Sequence, residues 1–174
     1  MKSPLTGYRI LDLTSVIMGP FATQNLGDMG ADVIKVESPE GDLTRTIGPS
    51  RNLGMGAMYL NANRNKRSIV LDLKQADGRD ALLKLAQTAD VLVHSMRPQA
   101  MRRLQLDYPD LKAVKPEIIY CACYGFGESG PYAGRPAYDD VIQGVSGLSS
   151  IVSFITGEPR HVPALFADKT SGMA

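Results

Sequence analysis

An aspartate near the end of the chain, Asp168, has the surroundings that most clearly suggest chemistry. A short apolar run, 164–167, leads into it, and Lys169, Thr170 and Ser171 follow it. In this position an aspartate can cap a helix, because its carboxylate accepts hydrogen bonds from the free N–H groups of the first turn. It can equally serve as a nucleophile that the positive end of the helix keeps ionised. The local sequence leaves both interpretations open.

Basic side chains lie close to the predicted ends of two strands, where an anionic ligand could bind. Lys74 ends a strand predicted over 68–73, Arg97 follows a strand predicted over 90–93, and Arg103 lies on the next helix. Ligands of doubly wound sheets bind along the carboxyl edge of the strands. We therefore expect an anion site along this edge.

The elements that would position these residues alternate between strands and helices. A strand over 8–13, a helix from Gly19 to about Met29 and a strand over 32–36 form a βαβ unit, so the two strands should be parallel. Further strands are predicted at 68–73, 90–93 and 117–123, and further helices at 78–89, 98–106, 108–114 and 138–150. The strand over 117–123 is apolar throughout after its first residue, Glu117, and is therefore expected to be buried. The pattern predicts an α/β fold with a mostly parallel, Rossmann-like sheet flanked by helices.

The segment between the second and third strands, 38–65, predicts a long irregular connection rich in Gly, Pro, Asn and Arg. Connections of this length in compact domains are usually functional or mobile. A basic run, 63–67, closes the segment, and solvated charges explain it as well as ligand binding does.

Composition limits the classes of partner. The chain has 174 residues, enough for one domain with a full core, and its net charge of +1 provides no broad field for nucleic acid or an anionic membrane. We expect no nucleic-acid partner and no membrane partner, since no apolar run approaches the roughly 20 residues of a membrane span. The N-terminus contains no signal-peptide h-region.

Cysteine and histidine positions argue against a metal site. Cys121 and Cys123 alternate along one predicted strand, too close to bridge without distortion, and no second cysteine pair is available for zinc. His94 and His161 lie far apart, without ligand spacing. We therefore expect no metal and a reduced, cytoplasmic protein.

The glycines of 125–130 match the pattern GxGxxG directly after a predicted strand. The dinucleotide-binding fingerprint of this form opens a helix, whereas the segment that follows here, 131–136, contains two prolines and extends a loop. We therefore predict a turn rather than a dinucleotide site.

Several local motifs occur together along the whole chain. They are Leu11-Asp-Leu-Thr14, Gly19-Pro-Phe-Ala-Thr-Gln24, Gly30-Ala-Asp-Val-Ile-Lys-Val-Glu37, Asn63-Arg-Asn-Lys-Arg-Ser68, Leu71-Asp-Leu-Lys74, Tyr124-Gly-Phe-Gly127, Gly130-Pro-Tyr132 and Ala137-Tyr-Asp139. In combination they resemble the N-terminal half of class III CoA-transferases, the CaiB/BaiF family. Because family proteins are more than twice this long, the resemblance implies that 1–174 is an incomplete CoA-binding Rossmann-like domain. The second domain and the C-terminal return would then be absent from this chain.

The resemblance implies that Asp168 is the nucleophile of a ping-pong reaction. Its carboxylate would attack the thioester of an acyl-CoA, giving a mixed anhydride and free CoA thiolate. The thiolate would return to form an aspartyl-CoA thioester, which an acceptor carboxylic acid then attacks. Acyl-CoA and a small carboxylic acid are thus the expected substrates, and no permanently bound cofactor is expected.

The resemblance also implies where CoA binds. The matching positions are Val16, Leu71, Leu73, Lys74 and Arg103. Lys74 offers a point charge and Arg103 a bidentate fork, and both suit phosphates. Arg97 joins this set from the same predicted sheet edge. Tyr138 and Asp139 match positions that line the site near the thioester.

Two other functions remain open. The α-methylacyl-CoA racemases of the same superfamily commonly place a histidine before the aspartate of the 137–139 motif, whereas this chain has Tyr138. A CoA-binding fragment without catalysis is the other alternative. The family resemblance implies an interlocked homodimer whose site is built from two chains, so this chain could bind CoA without turning it over. The sequence does not identify the donor or the acceptor acid.

Overall fold

Residues 3–174 are described by a computed structural model and form two compact units. The first unit ends at Cys123 and the second runs from Tyr124 to Ala174. No helix of the described chain is both long and apolar enough to cross a membrane.

A five-stranded parallel sheet forms the centre of the first unit. Its strands are β1 (Arg9–Leu13), β2 (Asp32–Glu37), β3 (Lys66–Val70), β4 (Val91–His94) and β5 (Ile119–Ala122), in the order β3-β2-β1-β4-β5. Leu11 of β1 lies opposite Ile34 of β2 on one side and opposite Leu92 of β4 on the other. The predicted α/β fold with a parallel sheet is confirmed.

Helices connect the strands and cover both faces of the sheet. In the first unit they are α1 (Met18–Asp28), α2 (Ala57–Ala62), α3 (Ala76–Ala86), α4 (Pro98–Leu104) and α5 (Tyr108–Val114), with a short 3-10 helix at Leu43–Arg45. Side chains alternate between the two faces of a strand. One face packs Leu11 and Leu92 against Leu82 of α3, Met101 of α4 and Leu111 of α5. The other face packs apolar side chains of β1, β2 and β4 against Leu26 of α1.

Helix α1 begins at Met18, one residue before the predicted start, so Pro20 is its third residue. The N–H groups of the first turn have no partner within a helix, so proline loses no hydrogen bond there. Gly30 follows the helix with a φ of 101°, the left-handed conformation expected of a glycine after the C-cap. The predicted end of this helix is therefore confirmed.

Three predictions for this unit are wrong: one strand boundary, one irregular segment and the burial of one strand. Strand β3 runs from Lys66 to Val70, so the 71–74 segment follows the strand as a turn. The supposedly irregular 38–65 segment contains α2 and the 3-10 helix. Strand β5 is not buried: it lies at the edge of the sheet, and 62% of Ile119 is exposed.

The second unit contains three helices, α6 (Asp139–Val145), α7 (Leu148–Thr156) and α8 (Phe166–Met173). The prediction of one continuous helix over 138–150 is wrong. Gly147 adopts a φ of 82° and separates α6 from α7. Val141 and Val145 of α6 are both exposed. The buried side chain of α6 is instead Gln143.

Candidate active site

The carboxyl edge of the sheet has a switch point between β1 and β4. The chain proceeds from β1 through β2 to β3 on one side, and β4 lies on the other side of β1. Ligands of open α/β sheets bind in the crevice at such a point. Val16 lies in the loop that leaves β1 here, and its φ of 69° is unusual for a β-branched residue. A strained backbone at a switch point indicates a functional loop.

Two contacts hold this loop in place. The backbone N–H of Ser15 donates to the hydroxyl of Ser95, which follows β4, at 3.1 Å. The N–H of Val16 donates to Oδ1 of Asp42 at 3.4 Å. The first contact joins the two strand ends across the switch point, and the second ties the loop to the segment after β2.

Asp42 is a buried carboxylate with several donors. Its Oδ2 accepts from Nζ of Lys35 at 2.9 Å, and its Oδ1 accepts from the N–H and the hydroxyl of Thr44 at 2.9 and 2.7 Å. Lys35 also donates to the carbonyl of Thr14 at 2.9 Å. Burial opposes ionisation of Asp42, but Lys35 and Thr44 outweigh burial and hold its pKa below the ordinary value.

The turn after β3 presents three of the predicted CoA-binding residues. Leu71 and Leu73 are partly buried against the core, whereas the side chain of Lys74 is exposed. The N–H of Lys74 donates to Oδ1 of Asp72 at 3.0 Å, which fixes the turn. Helix α3 approaches closely, because a Cβ added to Gly78 would lie 2.1 Å from the carbonyl oxygen of Asp72. The exposed ammonium group is thus carried on a tightly packed turn.

The two predicted arginines lie on or beside α4. Arg97 is the N-cap residue and Arg103 belongs to the last turn, and both are exposed. Strands β3 and β4 are separated by β2 and β1, so their ends lie about 14 Å apart at the usual strand spacing. Arg97 and Lys74 nevertheless follow strands that end at the same edge of the sheet.

Charged side chains also lie buried beneath this edge. Oδ2 of Asp12, on β1, accepts from Nζ of Lys66 at 2.9 Å and from the hydroxyl of Thr23 at 2.7 Å. The side chains of Asp12 and Lys66 are 0% and 2% exposed. Burial, opposed by Asp12, lowers the pKa of Lys66 to about 8. This ion pair joins the first and third strands of the unit to α1.

Glu37, at the end of β2, is the centre of a second buried cluster. Its carboxylate accepts from Nε and Nη2 of Arg45, each at 2.7 Å, from the hydroxyls of Tyr59 and Ser68, and from the N–H of Asp42. Burial alone would raise the pKa of Glu37, but these donors outweigh burial and lower it to about 2. The cluster fixes the segment between β2 and α2.

In the basic run 63–67 the side chains of Arg64 and Arg67 are 56% and 64% exposed, as expected of a solvated charge run, whereas that of Lys66 is buried. The three cations of the run are paired: Arg64 with Asp28, Lys66 with Asp12 and Arg67 with Asp32. None of the buried charges was among the predicted site residues. The sequence did contain one indication of these buried charges. Asp12, Lys35 and Glu37 occur within strands whose inner residues are otherwise apolar.

Asp168 lies in the second unit as the third residue of α8. The N-cap position is occupied by Leu165 and no side chain caps the helix, so the helix-cap interpretation of Asp168 is wrong. The backbone N–H of Asp168 donates to Oδ1 of Asp139 at 2.9 Å. Burial, and then the negative charge of Asp139, raise the pKa of Asp168 above its ordinary value. Within residues 3–174 no hydrogen-bond donor contacts the Asp168 carboxylate.

The other two predicted residues of this unit differ in their environment. Asp139 is the first residue of α6 and is partly buried, so the structure brings it next to Asp168. Tyr138 precedes the helix and is 70% exposed. A further residue, Gln143, donates from Nε2 to Oδ2 of Asp139 at 2.6 Å. Apolar periodicity could not identify Gln143, because it marks only hydrophobic faces.

The glycine-rich segment forms turns, and the two thiols are free. The 124–138 segment contains turns but no helix, as expected for a sequence that is not the dinucleotide fingerprint. Cys121 and Cys123 are both free thiols. His94 is fully buried, and burial lowers its pKa to about 4, so it is neutral at physiological pH.

Comparison with known proteins identifies the family. A sequence profile described as CoA-transferase family III matches residues 5–174. The chain is 43% identical, over 99% of its length and 45% of the relative, to a succinate–glutarate CoA-transferase of Agrobacterium fabrum. It is also 43% identical to the human succinyl-CoA:glutarate CoA-transferase, over 98% of the chain and 39% of the relative.

Solved structures agree with this assignment. A CaiB/BaiF family protein from Brucella suis superposes with a TM-score of 0.93 and 41% identity, over 99% of this chain and 47% of that one. The chain thus spans less than half the length of the relatives it matches. The fold, the motifs and these similarities together show that the chain belongs to the family III CoA-transferases, the CaiB/BaiF proteins.

Proposed function

We propose that the protein containing this chain transfers CoA from an acyl-CoA donor to a carboxylic acid acceptor, with Asp168 as the covalent acyl carrier. The observation that carries the proposal is the state of the Asp168 carboxylate. It lies at the start of a helix, is partly buried and receives no hydrogen bond within the described chain. A carboxylate used only to cap the helix would accept hydrogen bonds from the first turn.

The reaction would proceed in balanced steps. An Asp168 oxygen attacks the thioester carbon of the donor, and the C–S bond breaks to give a mixed anhydride and CoA thiolate. The thiolate attacks the aspartyl carbon, releases the donor acid as its carboxylate and leaves an aspartyl-CoA thioester. The acceptor carboxylate attacks this thioester and again expels the thiolate. Attack of the thiolate on the acceptor acyl carbon then yields the new acyl-CoA and regenerates the Asp168 carboxylate.

The environment of Asp168 suits this role. Burial and Asp139 raise its pKa, so its anion is less stabilised than that of an aspartate in water. A more basic carboxylate is the better nucleophile towards a thioester. A partly buried position also keeps the activated acyl bond away from water during the exchange.

CoA itself would bind along the carboxyl edge of the parallel sheet. The exposed cations Lys74, Arg97 and Arg103 suit the phosphates of an extended ligand, since Lys74 and Arg97 follow strands about 14 Å apart. Val16, Leu71 and Leu73 offer apolar and backbone contacts beside them. Tyr138 and Asp139 would line the region of the thioester.

The donor and the acceptor are small carboxylic acids or their CoA esters. Relatives of this chain are named for succinate, glutarate and oxalate, so dicarboxylic acids are the first substrates to test. We further propose that the protein acts in the cytoplasm as an interlocked homodimer. Size-exclusion chromatography with light scattering tests the dimer.

The role of Asp168 as acyl carrier is to be tested in the full-length protein that contains residues 1–174. Incubation with succinyl-CoA and glutarate, followed by hydroxylamine and mass spectrometry, should yield a hydroxamate on the peptide that carries Asp168. The Asp168→Asn variant should lose both the adduct and at least about 10³-fold in transfer rate, the scale of losing a covalent nucleophile. Asp140→Asn, an exposed neighbouring aspartate, is the matched control and should keep both.

Two results would refute the proposal. One is full transfer activity in Asp168→Asn, and the other is the absence of any adduct in an active wild-type protein. A racemase would instead exchange the α-proton of an acyl-CoA with deuterated solvent without an acceptor acid. A CoA-binding fragment would bind CoA but show neither reaction.

A further inference from the structure

Gln143 is the buried residue of α6, with 2% of its surface exposed. Its Oε1 accepts from the N–H of Val162 at 2.8 Å. Its Nε2 donates to Oδ2 of Asp139 at 2.6 Å and lies 3.3 and 3.2 Å from the carbonyl oxygens of Val162 and Ala164. One amide group therefore contacts a side chain of its own helix and two residues of the segment that leads into α8.

Burying a primary amide is costly unless its donors and acceptor are satisfied. In this unit the amide of Gln143 is satisfied on both of its atoms, and by groups on two separate segments. Gln143 and Asp139 are four residues apart on one helix, the spacing at which side chains share a face. The glutamine thus connects the first turn of α6 to the 162–164 segment.

The connection continues to Asp168. Asp139 uses Oδ2 to accept from Gln143 and Oδ1 to accept from the backbone N–H of Asp168 at 2.9 Å. Both oxygens of this carboxylate are therefore occupied, which fixes its rotation. The Asp168 backbone is held from one side by Asp139, and the chain entering its helix is held by Gln143.

We propose that Gln143 is a positioning residue for the nucleophile, acting through Asp139 and through the 162–164 segment to fix the first turn of α8. This inference rests on the proposed role of Asp168. A nucleophile must be held close to its productive geometry, and a displacement of about 1 Å can cost on the order of 10²-fold in rate. Gln143 does not contact the reacting carboxylate, so its effect lies in the placement of Asp168 rather than in CoA binding.

Two variants test this role. Gln143→Leu keeps a side chain of similar size but loses every hydrogen bond. Gln143→Glu keeps the acceptor for Val162 but loses the donors to Asp139 and Ala164. In both we expect kcat for CoA transfer to fall at least about 30-fold, while KM for the acyl-CoA changes less than about threefold, because the cations proposed to bind the CoA phosphates are unaltered. Asp140→Asn, on the same helix but exposed, is the control and should keep both constants.

A measurement on the wild-type protein makes the test independent of how well the variants fold. NMR hydrogen exchange should show slow exchange of the Gln143 side-chain amide protons and of the Asp168 backbone amide. Exchange at the rate of an exposed glutamine would overturn the proposal. A wild-type kcat in a folded Gln143→Leu protein would overturn it as well.

Failure of this inference can be distinguished from failure of the proposed function. If Asp168→Asn transfers CoA normally, the role of Asp168 is wrong and the positioning argument falls with it. If Asp168→Asn is inactive while Gln143→Leu and Gln143→Glu retain the wild-type kcat, the positioning argument alone is wrong. A large rise in KM with an unchanged kcat would likewise refute it, since this result would place Gln143 in ligand binding.

Discussion

Lowering the pH should reduce the unfolding free energy of the first unit, because Glu37 becomes protonated. The side chain of this glutamate is 2% exposed and accepts hydrogen bonds from Arg45, Tyr59 and Ser68. Protonation would disrupt the two hydrogen bonds from the arginine and leave its guanidinium without its charge partner. Because these contacts exist only in the folded chain, the carboxylate holds its proton less tightly in the folded state than in the unfolded state.

The direction and size of the effect follow from the two pKa values. The pKa of Glu37 is lowered from 4.5 to about 2 on folding. A carboxylate with a depressed folded pKa stabilises the fold above its unfolded pKa, and this stability is lost as the pH falls through the folded value. At 1.36 kcal/mol per unit, the contribution near neutral pH is about 3 kcal/mol. At about pH 3 the linkage relation leaves about 1 kcal/mol, so about 2 kcal/mol is lost.

Urea denaturation of the wild-type chain and of Glu37→Gln measures this loss. The glutamine cannot titrate, so the difference in unfolding free energy between the two proteins should shrink by about 2 kcal/mol between about pH 7 and about pH 3. Glu117→Gln changes an exposed glutamate of the same unit and should differ from wild type by less than about 0.5 kcal/mol at neutral pH. A difference for Glu37→Gln that is equal at the two pH values would refute the reasoning.

Two further predictions concern residues that fix the loops at the sheet edge. Asp42→Ala leaves the ammonium of Lys35 buried without its charge partner and should cost about 3–5 kcal/mol in urea denaturation, while replacing both residues together by apolar ones costs less. The exposed pair provides a control, since Arg67→Ala should cost less than about 1 kcal/mol, and an equal cost for Asp42→Ala would contradict the argument. Gly78→Ala normally favours a helix by about 1 kcal/mol, but here its Cβ meets the backbone of Asp72. We expect a lower unfolding free energy and shifted NMR amide signals in 71–74, and a more stable variant would show that the backbone can yield.

The sequence predicted the features that depend on local patterns. The alternation of strands and helices was enough to predict a parallel α/β sheet, because a βαβ unit constrains the direction of its strands. The end of α1 was also predicted locally, since a glycine follows it and adopts the left-handed conformation that glycine tolerates. The start and end of β3 were wrong because pairing with β2 selected Lys66–Val70 over the more apolar segment that follows. Strand boundaries depend on such pairing and not on hydrophobicity alone.

Contacts between distant residues could not be predicted in the same way. Asp139 and Asp168 are 29 positions apart, and their proximity depends on how α6 and α8 pack. The burial of Lys66 depends on Asp12, which is 54 positions away. In both cases a charged residue resembles a surface residue until the partner that satisfies it is known. The motif resemblance identified Asp168 and Asp139, but it gave no indication that Gln143 connects to them.

The carboxylates of the chain show two contrasting electrostatic environments. Glu37 and Asp42 are surrounded by cations and N–H donors, which lower their pKa values and stabilise their anions. Asp168 has no donor to its carboxylate within the described chain and lies beside the negative charge of Asp139, so its pKa is raised. A carboxylate that only supports the fold gains from stabilisation of its charge, whereas a nucleophile loses reactivity by the same stabilisation. In the proposed reaction Asp168 would form a neutral anhydride or thioester, which would remove this unfavourable charge, so the destabilised anion would favour the covalent step.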